Sequence, residues 1–578
     1  MTPLRLLAAL ASFAVLGACA SQAPNGAATA DLGAPAAPAP RVDSDSSPLG
    51  LYLAGQAALN NGHGDLAATY FSQAAQADGD AAFLKDSAFQ AALADGDVRR
   101  AADLAPNAGE GSAAAVELGR LTRAVEWLAE GRGRDAEALL SGKPMPPPLD
   151  TAAKLLTPWA AAAAGDWKTA LAAPPPGEDH LVTQIAMLDR ALLFENRHEI
   201  GDADQAFRGL LAISDGAGLY TAAYGEFLER HGKTSDAVAL YTAATRNEPS
   251  NTLLAEALAR AKAGRAPPVA PNFQQGAAAA LLPPAAFLLA EKQPALGLDY
   301  LRLVIRLDPK RDEAWLLIGD TLSAGGQVAA ARAAYARPAP GSDAYVAART
   351  RLIATYDDEP KGAPTELALA EETAKAAPSD PVALELLADA LRINDRDAES
   401  AQVLDKLIAQ LGEKAGWSLY YMRGVALDQA GDWPSAERDL KYALALSPDE
   451  PDVLNYLGYS WIDRGMNLKT AKQMIEKAVA AKPDSGAIVD SLGWADYKLG
   501  DYREAVEQLE RATELEPADP DINNHLGDAY WAAGRKLEAR FQWEQVLSLA
   551  PSDKLRAEVE AKLKSGLNTA PRPAVAEK

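Results

Sequence analysis

Small and bulky apolar residues recur at a fixed period in the C-terminal part of the chain. Four glycines and four prolines mark the period, at Gly424, Gly458, Gly493 and Gly527 and at Pro448, Pro483, Pro517 and Pro551. Both series advance by 34 or 35 residues at each step. A period of this length is typical of stacked helix hairpins, whereas a single compact core has no such repeat. The pattern therefore predicts an array of helix-turn-helix units.

The residues between each glycine and its proline indicate how two helices pair. In the unit that ends at Pro517, Ala505 and Ala512 are small and Leu509 is bulky. Small residues let the two helices of a hairpin approach closely, and bulky residues fill the gap toward the next hairpin. The proline ends the second helix. Because each hairpin alone leaves an apolar face uncovered, we expect the hairpins to stack continuously.

Weaker copies of the same pattern occur upstream. They contain Gly55 and Phe71, Gly225 and Tyr241, and Gly319 and Tyr335. Between these units the register is degraded, so the number of repeats is not fixed by the pattern. We predict degenerate helical repeats over residues 48–275 and a more regular array over residues 276–564.

Proline-rich stretches interrupt the upstream pattern at Pro144–Pro148, Pro174–Pro176 and Pro267–Pro284. Prolines of this density are not expected inside helices, so the three stretches should be turns or bends, and the main division should lie near residues 265–285. After the last repeat, Ser552 or Asp553 can cap a final helix. Residues 565–578 are expected to be a disordered tail.

Composition agrees with an all-α fold, a solenoid of stacked antiparallel helix hairpins. Hydrophobic residues make up 48% of the chain but aromatic residues only 6%. This alanine-rich balance favours closely packed helices and offers few β-branched residues for sheets. The formal net charge of −23 provides no basic surface for phosphates, so nucleic acid is not an expected partner.

The N-terminus predicts export and lipidation. One positive charge, Arg5, precedes an apolar run from Leu6 to Gly17 that is too short to span a bilayer. The sequence Leu16-Gly17-Ala18-Cys19 resembles the lipobox of bacterial lipoproteins. The resemblance implies a signal peptide over residues 1–18, a diacylglyceryl group on Cys19, and, since Ala20 is not aspartate, sorting to the outer membrane. An ordinary secretory signal with an incidental cysteine is the alternative. The Ala/Pro-rich residues 19–47 should form a disordered tether.

The periodic residues resemble the tetratricopeptide repeat. Leu492-Gly493, Ala505, Leu509, Ala512 and Pro517 match the family's positions, and the neighbouring units repeat the match. The resemblance implies a concave surface formed by the first helix of each hairpin. Its inward positions would be three residues before and one residue after each glycine. In this chain those positions and their neighbours are Tyr421, Val425, Asn455, Tyr459, Asp490, Trp494, Tyr497, Asn524, Asp528 and Trp531.

An aromatic and acidic-amide groove of this kind suits an extended peptide. Alternatively, Trp494, Tyr497 and Trp531 pack between repeats and contact no ligand. The carboxylate-clamp subclass of the family uses lysine and arginine at such positions. Because Asn455, Asp490 and Asn524 stand there instead, a C-terminal acidic motif is not the expected ligand.

No motif for catalysis emerges from the sequence. The five histidines lack the spacing of a zinc protease, and no glycine-rich phosphate loop ends in lysine and serine or threonine. Gly458-Tyr459-Ser460 matches part of a nucleophile elbow, but Trp461 occupies the following site and Ser460 falls within a repeat helix. We therefore expect no catalytic residues, no metal and no cofactor.

Residues 417–551 resemble the C-terminal block of proteobacterial tetratricopeptide lipoproteins. Some of these are adaptors that bring peptidoglycan hydrolases to a periplasmic C-terminal processing protease. The resemblance favours a lipid-anchored, non-enzymatic scaffold that faces the periplasm and binds proteins in its concave groove. Two alternatives are an assembly factor for an exopolysaccharide or outer-membrane machine, and an enzyme hidden in residues 100–285.

Overall fold

Helices form the whole regular structure of the described part of the chain. The computed structural model describes residues 47–78, 81–174, 179–213, 218–357 and 363–567. Within these ranges there are 30 α-helices, one short 3₁₀ helix at Gly412–Lys414 and no β-strand. The prediction of an all-α fold of stacked helix hairpins is confirmed for these residues. Cys19, the predicted signal peptide and nearly all of the predicted tether lie outside the described residues, as does most of the predicted tail.

The chain divides into two compact units, residues 1–348 and residues 349–578. The predicted division at residues 275–276 falls inside the first unit, so the contact boundary lies further along the chain. As a division between degenerate and regular repeats, residues 275–276 stay a prediction. The boundary between the units falls within helix Tyr345–Ala354, which is α18 in chain order.

Eight helices open the first unit, and each contacts the next along the chain. They are α1 Pro48–Asn60, α2 Gly64–Ala77, α3 Ala82–Asp95, α4 Val98–Leu104, α5 Ala113–Ala129, α6 Gly133–Leu140, α7 Leu149–Ala164 and α8 Trp167–Ala170. Serine and aspartate residues cap several of them; the side chain of Ser112, for example, accepts a hydrogen bond from the amide of Ala115 at 3.2 Å.

Five further helices share an apolar core of their own. They are α9 His180–Asn196, α10 Ile200–Ile213, α11 Gly218–Arg230, α12 Thr234–Asn247 and α13 Thr252–Lys262. The core contains Phe207, Phe227, Tyr224 and Tyr241, and the two phenylalanine ring centroids lie 5.1 Å apart. This group of helices therefore buries much of its apolar surface within itself.

The next two helices return to the opening group. Helix α14, Phe273–Ala290, packs on α7 and α9, and α15, Pro294–Leu307, packs on α3, α4 and α5. The guanidinium of Arg306 on α15 donates to both carboxylate oxygens of Glu126 on α5, at 2.6 and 2.8 Å. Stacking in this unit thus departs from the expected continuous array, because α9–α13 are inserted between helices that pack together. Two short helices, α16 Asp312–Ala324 and α17 Val328–Tyr335, follow.

Two prolines lie inside a helix at a place where the sequence predicted a break. Pro283 and Pro284 are inside α14, so the prediction that Pro267–Pro284 is a break is wrong for this pair. Flanking residues, among them Leu281 and Ala285, are fully buried, and their packing offsets the helix hydrogen bonds that proline removes. By length and apolar composition α14 is also the one helix among the described residues that could cross a membrane, but 39% of it is buried within the fold.

The second unit stacks its hairpins in chain order. Its helices are α19 Ala363–Ala376, α20 Pro381–Ile393, α21 Asp397–Leu411, α22 Trp417–Gln429, α23 Trp433–Leu446, α24 Pro451–Asp463, α25 Leu468–Ala481, α26 Gly486–Leu499, α27 Tyr502–Leu515, α28 Pro520–Ala532, α29 Lys536–Ser548 and α30 Asp553–Ser565. The first helices of successive hairpins also meet, since α24 contacts α26 and α26 contacts α28. Ser552 caps α30, its side chain accepting from the amide of Leu555 at 3.3 Å.

One contact recurs in hairpins of both units. A glycine of the first helix faces a bulky buried residue of the second, 16 or 17 positions later. A Cβ atom on Gly493 would lie 2.6 Å from Cγ of Leu509, and one on Gly527 would lie 2.5 Å from Nε1 of Trp543. The other pairs are Gly55 and Phe71, Gly225 and Tyr241, Gly319 and Tyr335, Gly424 and Leu440, and Gly458 and Ile475. Glycine is therefore required at this position, because any larger residue would overlap the side chain of the second helix.

Adding one methyl group at this contact should destabilise a hairpin. In Gly225→Ala the new methyl would overlap the ring of Tyr241, which is fully buried. We expect a loss of about 1–3 kcal/mol, as for other overpacked cores, measured by the thermal unfolding midpoint in circular dichroism.

Gly201→Ala is the matched control, because Gly201 lies in the adjacent helix α10 and a Cβ there meets nothing within 4 Å. Helix propensity alone should make this variant neutral or stabilise it by up to about 1 kcal/mol. Equal effects of the two substitutions would contradict the packing argument.

Candidate partner-binding groove

The predicted groove residues lie on the first helices of four successive hairpins. Helix α22 carries Tyr421 and Val425, α24 carries Asn455 and Tyr459, α26 carries Asp490, Trp494 and Tyr497, and α28 carries Asn524, Asp528 and Trp531. Contacts between residues of neighbouring repeats link the hairpins. Tyr421 meets Tyr456 with ring centroids 6.0 Å apart, and Asp490 meets His525 one repeat further on. We refer to the surface formed by these ten residues as the groove.

The α22 part of the groove is an aromatic cluster. Tyr421 lies between Trp417 and Tyr456, with ring centroids 6.4 and 6.0 Å away. The hydroxyl of Tyr456 donates to Asp428 at 3.2 Å. Burial, together with the nearby carboxylate of Asp452, raises the pKa of Tyr421, so its phenol stays neutral at physiological pH.

The α24 part contains a buried polar atom and a partly exposed aromatic ring. The side-chain oxygen of Asn455 is buried and has no hydrogen-bond partner among the described residues. Tyr459 lies one helical turn further on and is partly exposed. Burial raises the pKa of Tyr459, and the carboxylates of Asp463, Asp490 and Asp521 raise it further. Asn455 and Tyr459 thus combine an unsatisfied acceptor with a neutral aromatic ring.

The α26 part is held by an ion pair and a stack of rings. Nδ1 of His525 lies 3.0 and 2.9 Å from the two carboxylate oxygens of Asp490. The His525 ring stacks on Trp494 at 4.0 Å and 19°, and Trp494 stacks on Tyr497 at 4.8 Å and 9°. Nζ of Lys498 lies 4.9 Å from the centroid of Trp494. Trp494 and Tyr497 therefore have packing roles of the kind that the alternative interpretation described.

The charge of His525 follows from this pair. Burial alone would lower the pKa of the imidazole, but the carboxylate of Asp490 outweighs burial and the pKa is raised. The protonated ring then donates to Asp490 while it stacks on Trp494. Sequence analysis did not single out His525, although it directly follows the inward position Asn524.

The α28 part of the groove is covered by the chain's own last helix. Nζ of Lys562 on α30 lies 2.8 Å from the side-chain oxygen of Asn524, 2.8 Å from a carboxylate oxygen of Asp528 and 2.6 Å from Glu558. Asp528 also accepts from Nε1 of Trp543 at 3.0 Å. The ammonium group of Lys562 and both carboxylate oxygens of Asp528 thus have partners within the chain.

Trp531 is covered in the same way. Its Nε1 donates to the carbonyl of Leu567 at 3.1 Å, and Gly566 packs directly against its ring. A partner-binding role for Asn524, Asp528 and Trp531 stays a prediction, but in this structure all three bind α30 and the residues after it. The part of the groove that α30 leaves uncovered is formed by α22, α24 and α26.

Within the described residues, no group of three or more histidine, cysteine, aspartate or glutamate side chains is arranged to hold a metal ion. Ser460, the candidate of the partial nucleophile elbow, is buried in α24 and its hydroxyl lies 3.4 Å from Asp428.

The lysine of the last helix should be important for covering the groove. In Lys562→Met the buried carboxylate of Asp528 loses its cation, and breaking a buried pair in this way costs about 3 kcal/mol. We expect faster amide hydrogen exchange across residues 553–567, measured by mass spectrometry.

Lys564→Met is the matched control, since Lys564 lies on the same helix and is exposed. This variant should keep the exchange rates of the wild type. Unchanged exchange in Lys562→Met would show that apolar contacts alone hold α30 in place.

The pair of Asp490 and His525 should make stability depend on pH. Because the pKa of His525 is raised in the folded chain, the pair stabilises fully below the unfolded pKa of about 6.5, and the stabilisation is lost as pH rises through the folded value. We expect Asp490→Asn to lower the urea midpoint more at pH 5.5 than at pH 9.

A histidine NMR titration provides the direct control. The chain has five histidines, so the ¹³C-labelled ring signal that disappears in His525→Gln can be assigned. That signal should titrate above pH 6.5, and Asp490→Asn should lower its pKa. A value below 6.5 in the wild type would contradict the ion pair.

Comparisons with known proteins find relatives of the regular part of the second unit. The tetratricopeptide repeat family profile matches residues 421–486 and 491–554. A TPR repeat-containing protein of Pseudomonas aeruginosa is 34% identical over 118 residues. That match spans 20% of this chain and 20% of the relative, so the chain aligns with only a fifth of that protein's length.

The solved structures that match this chain are distant from it in sequence. A chain of the APC/C hetero-tetramer Cut9-Hcn1 is 16% identical, with a TM-score of 0.37, over 90% of this chain and 96% of its own. A thermophilic TPR protein of Thermus thermophilus is 20% identical, with a TM-score of 0.29, over 32% of this chain and 100% of its own. YrrB, a TPR protein with an unusual peptide-binding site, is 17% identical, with a TM-score of 0.26, over 33% and 97%.

The 34-residue period, the glycine contacts of the hairpins and the match of the family profile agree on residues 421–554. These residues are tetratricopeptide repeats.

Proposed function

We propose that the protein is a non-enzymatic adaptor, anchored to the outer membrane by a lipid on Cys19, that binds partner proteins in the periplasm. Tetratricopeptide repeats serve as scaffolds for protein–protein interaction, which supports the binding role. The signal peptide, the lipobox at residues 16–19 and the Ala/Pro-rich tether support the anchor and the compartment.

The observation that carries the proposal is the uncovered part of the groove on α22, α24 and α26. The unpartnered side-chain oxygen of Asn455 is buried beneath this part of the groove, whose surface is formed by aromatic and polar side chains that suit an extended peptide. Tyr421 and Tyr459 are partly exposed aromatic residues on either side of that oxygen along the groove. Aromatic rings of this kind supply much of the buried area in peptide recognition.

A C-terminal processing protease is one specific form of the partner, as the resemblance of residues 417–551 to lipoprotein adaptors implies. In that form the second unit would bind one component and the first unit another. Residues 100–285 form stacked helices from α4 to α14 where they are described, which favours a second scaffold over a hidden enzyme.

The test is crosslinking in intact cells followed by affinity capture and mass spectrometry. Wild type should capture a periplasmic protease or cell-wall enzyme. Tyr459→Ala should reduce that capture severalfold, because it removes an aromatic anchor from the uncovered groove. Cys19→Ser should move the protein from the membrane fraction to the soluble fraction.

Phe541→Ala is the control for Tyr459→Ala. Phe541 is 64% exposed, but it lies on α29, a second helix outside the groove. Capture lost equally in both variants would contradict the groove assignment. Stoichiometric capture of an integral barrel would favour the assembly-factor alternative, and absence of any reproducible partner would contradict the adaptor itself.

A further inference from the structure

The first described helix, α1, has an apolar outward face. Leu49 and Leu53 are 66% and 58% exposed. Gly50 and Ala57 are exposed as well, and their spacing puts them on the same side of the helix as the two leucines. From Pro48 to Asn60 the helix contains no charged residue, although 23% of the residues in the chain are charged. The outward side of α1 is therefore as free of polar side chains as a buried surface.

Phe83 of α3 extends this surface. Its side chain is 57% exposed, and its ring lies edge-on against Tyr52 of α1, with centroids 5.6 Å apart. Tyr52 lies within one helical turn of both Leu49 and Leu53, so Phe83 adjoins the outward side of α1. We refer to the surface formed by Leu49, Leu53, Ala57 and Phe83 as the terminal face.

The terminal face corresponds to the surface that stacks on a preceding hairpin in later repeats. Leu53 and Ala57 lie two residues before and two residues after the repeat glycine of α1. Around the glycine of α24 the same positions are Tyr456 and Ser460, and both donate to Asp428 of the preceding hairpin, at 3.2 and 3.4 Å. Among the described residues no helix precedes α1. The terminal face is thus the end of a stack, and it is apolar where a solvated end would be polar.

The residues between Cys19 and α1 limit what can cover this face. Besides alanine and proline, residues 20–46 contain only two apolar side chains, Leu32 and Val42, so they offer little apolar surface of their own. Fully extended, they span at most about 95 Å. A lipid on Cys19 therefore keeps α1 within that distance of the bilayer. Because the anchor holds the chain there, even a weak contact between the terminal face and the lipid becomes populated.

We infer that the terminal face rests on the bilayer, with Leu49, Leu53 and Phe83 inserted at the boundary between headgroups and acyl chains. The inference rests on the proposed function and adds a second membrane contact to the lipid on Cys19. A bilayer fits better than a protein partner, because the side chains of the terminal face offer no hydrogen-bond donor or acceptor, whereas protein interfaces regularly contain hydrogen bonds. Neutral lipids suffice, since the net charge of −23 gives anionic headgroups no general attraction.

The test uses the chain from Cys19 onward, which is the mature form under the proposed function. It is joined through Cys19, its only cysteine, to a maleimide lipid in phosphatidylcholine vesicles. A fraction of the acyl chains carries a photoreactive diazirine, and mass spectrometry locates the lipid adducts after illumination. We expect the adducts to concentrate in residues 48–60 and 82–95. The maleimide lipid supplies the anchor, so the result does not depend on acylation in the cell.

Paired substitutions locate the contact. Leu49→Gln with Leu53→Gln should reduce the adducts on α1 and α3 at least about fivefold, because it removes two apolar side chains from the boundary. The matched control is Leu537→Gln with Phe541→Gln, which replaces two exposed apolar residues at the same spacing on α29. The control pair should keep the adducts of the wild type. Circular dichroism verifies that both pairs stay folded.

The outcomes separate this inference from the adaptor proposal. Absence of adducts from α1, an even spread of adducts over the exposed helices, or unchanged adducts in the pair at Leu49 and Leu53 would each overturn the membrane contact. A dimer in analytical ultracentrifugation that the same pair abolishes would assign the face to a second copy and also overturn it. Fractionation of Cys19→Ser decides the anchor separately, and capture from cells decides the adaptor.

Discussion

The close approach of two helices at a single glycine is the contact on which the repeats depend. In the seven hairpins that contain this contact, the bulky residue of the second helix occupies the volume that a Cβ would take on the first, as Leu509 does against Gly493. The bulky residue is thereby buried, and several of these residues, including Tyr241, Leu440 and Trp543, are fully inaccessible. Burial of such a side chain stabilises by about 2–3 kcal/mol. The first helix is then held at a distance and orientation that place its opposite face in line with the next hairpin.

The groove follows from that alignment. Because the first helices of successive hairpins contact one another, residues one repeat apart can interact directly, as Asp490 does with His525. Such pairs tie neighbouring repeats together and also set the electrostatics of the surface that faces a partner. Where the array ends, the same positions would be left uncovered. The last helix covers these positions. Its Lys562 binds both Asn524 and Asp528, so a cation from the chain itself pairs with the polar groups at the end of the array.

Sequence analysis predicted the repeats well because the glycine of this contact recurs once per repeat and is therefore visible as a period in the sequence. The pairs of Gly55 with Phe71 and of Gly225 with Tyr241 could be identified even where the rest of the register was degraded. Pro283 and Pro284 could not be placed in a helix from sequence, because α14 is supported by packing on α7, more than a hundred residues earlier in the chain. The role of Lys562 was equally inaccessible, since α30 carries no repeat glycine and its contacts with Asn524 and Asp528 are long-range.

The two units cover the apolar faces of their hairpins in different ways. In the second unit each hairpin covers its neighbour in chain order, so the contacts are local and the remaining exposed end needs only one additional helix. In the first unit α14 and α15 return to α7 and α5 after the inserted helices, and the ion pair of Arg306 with Glu126 closes a loop of 180 residues. Closing a loop of that length costs entropy before its contacts form. The first unit therefore depends on long-range closure, whereas the second can open and close hairpin by hairpin from its end, where the groove and its covering helix meet.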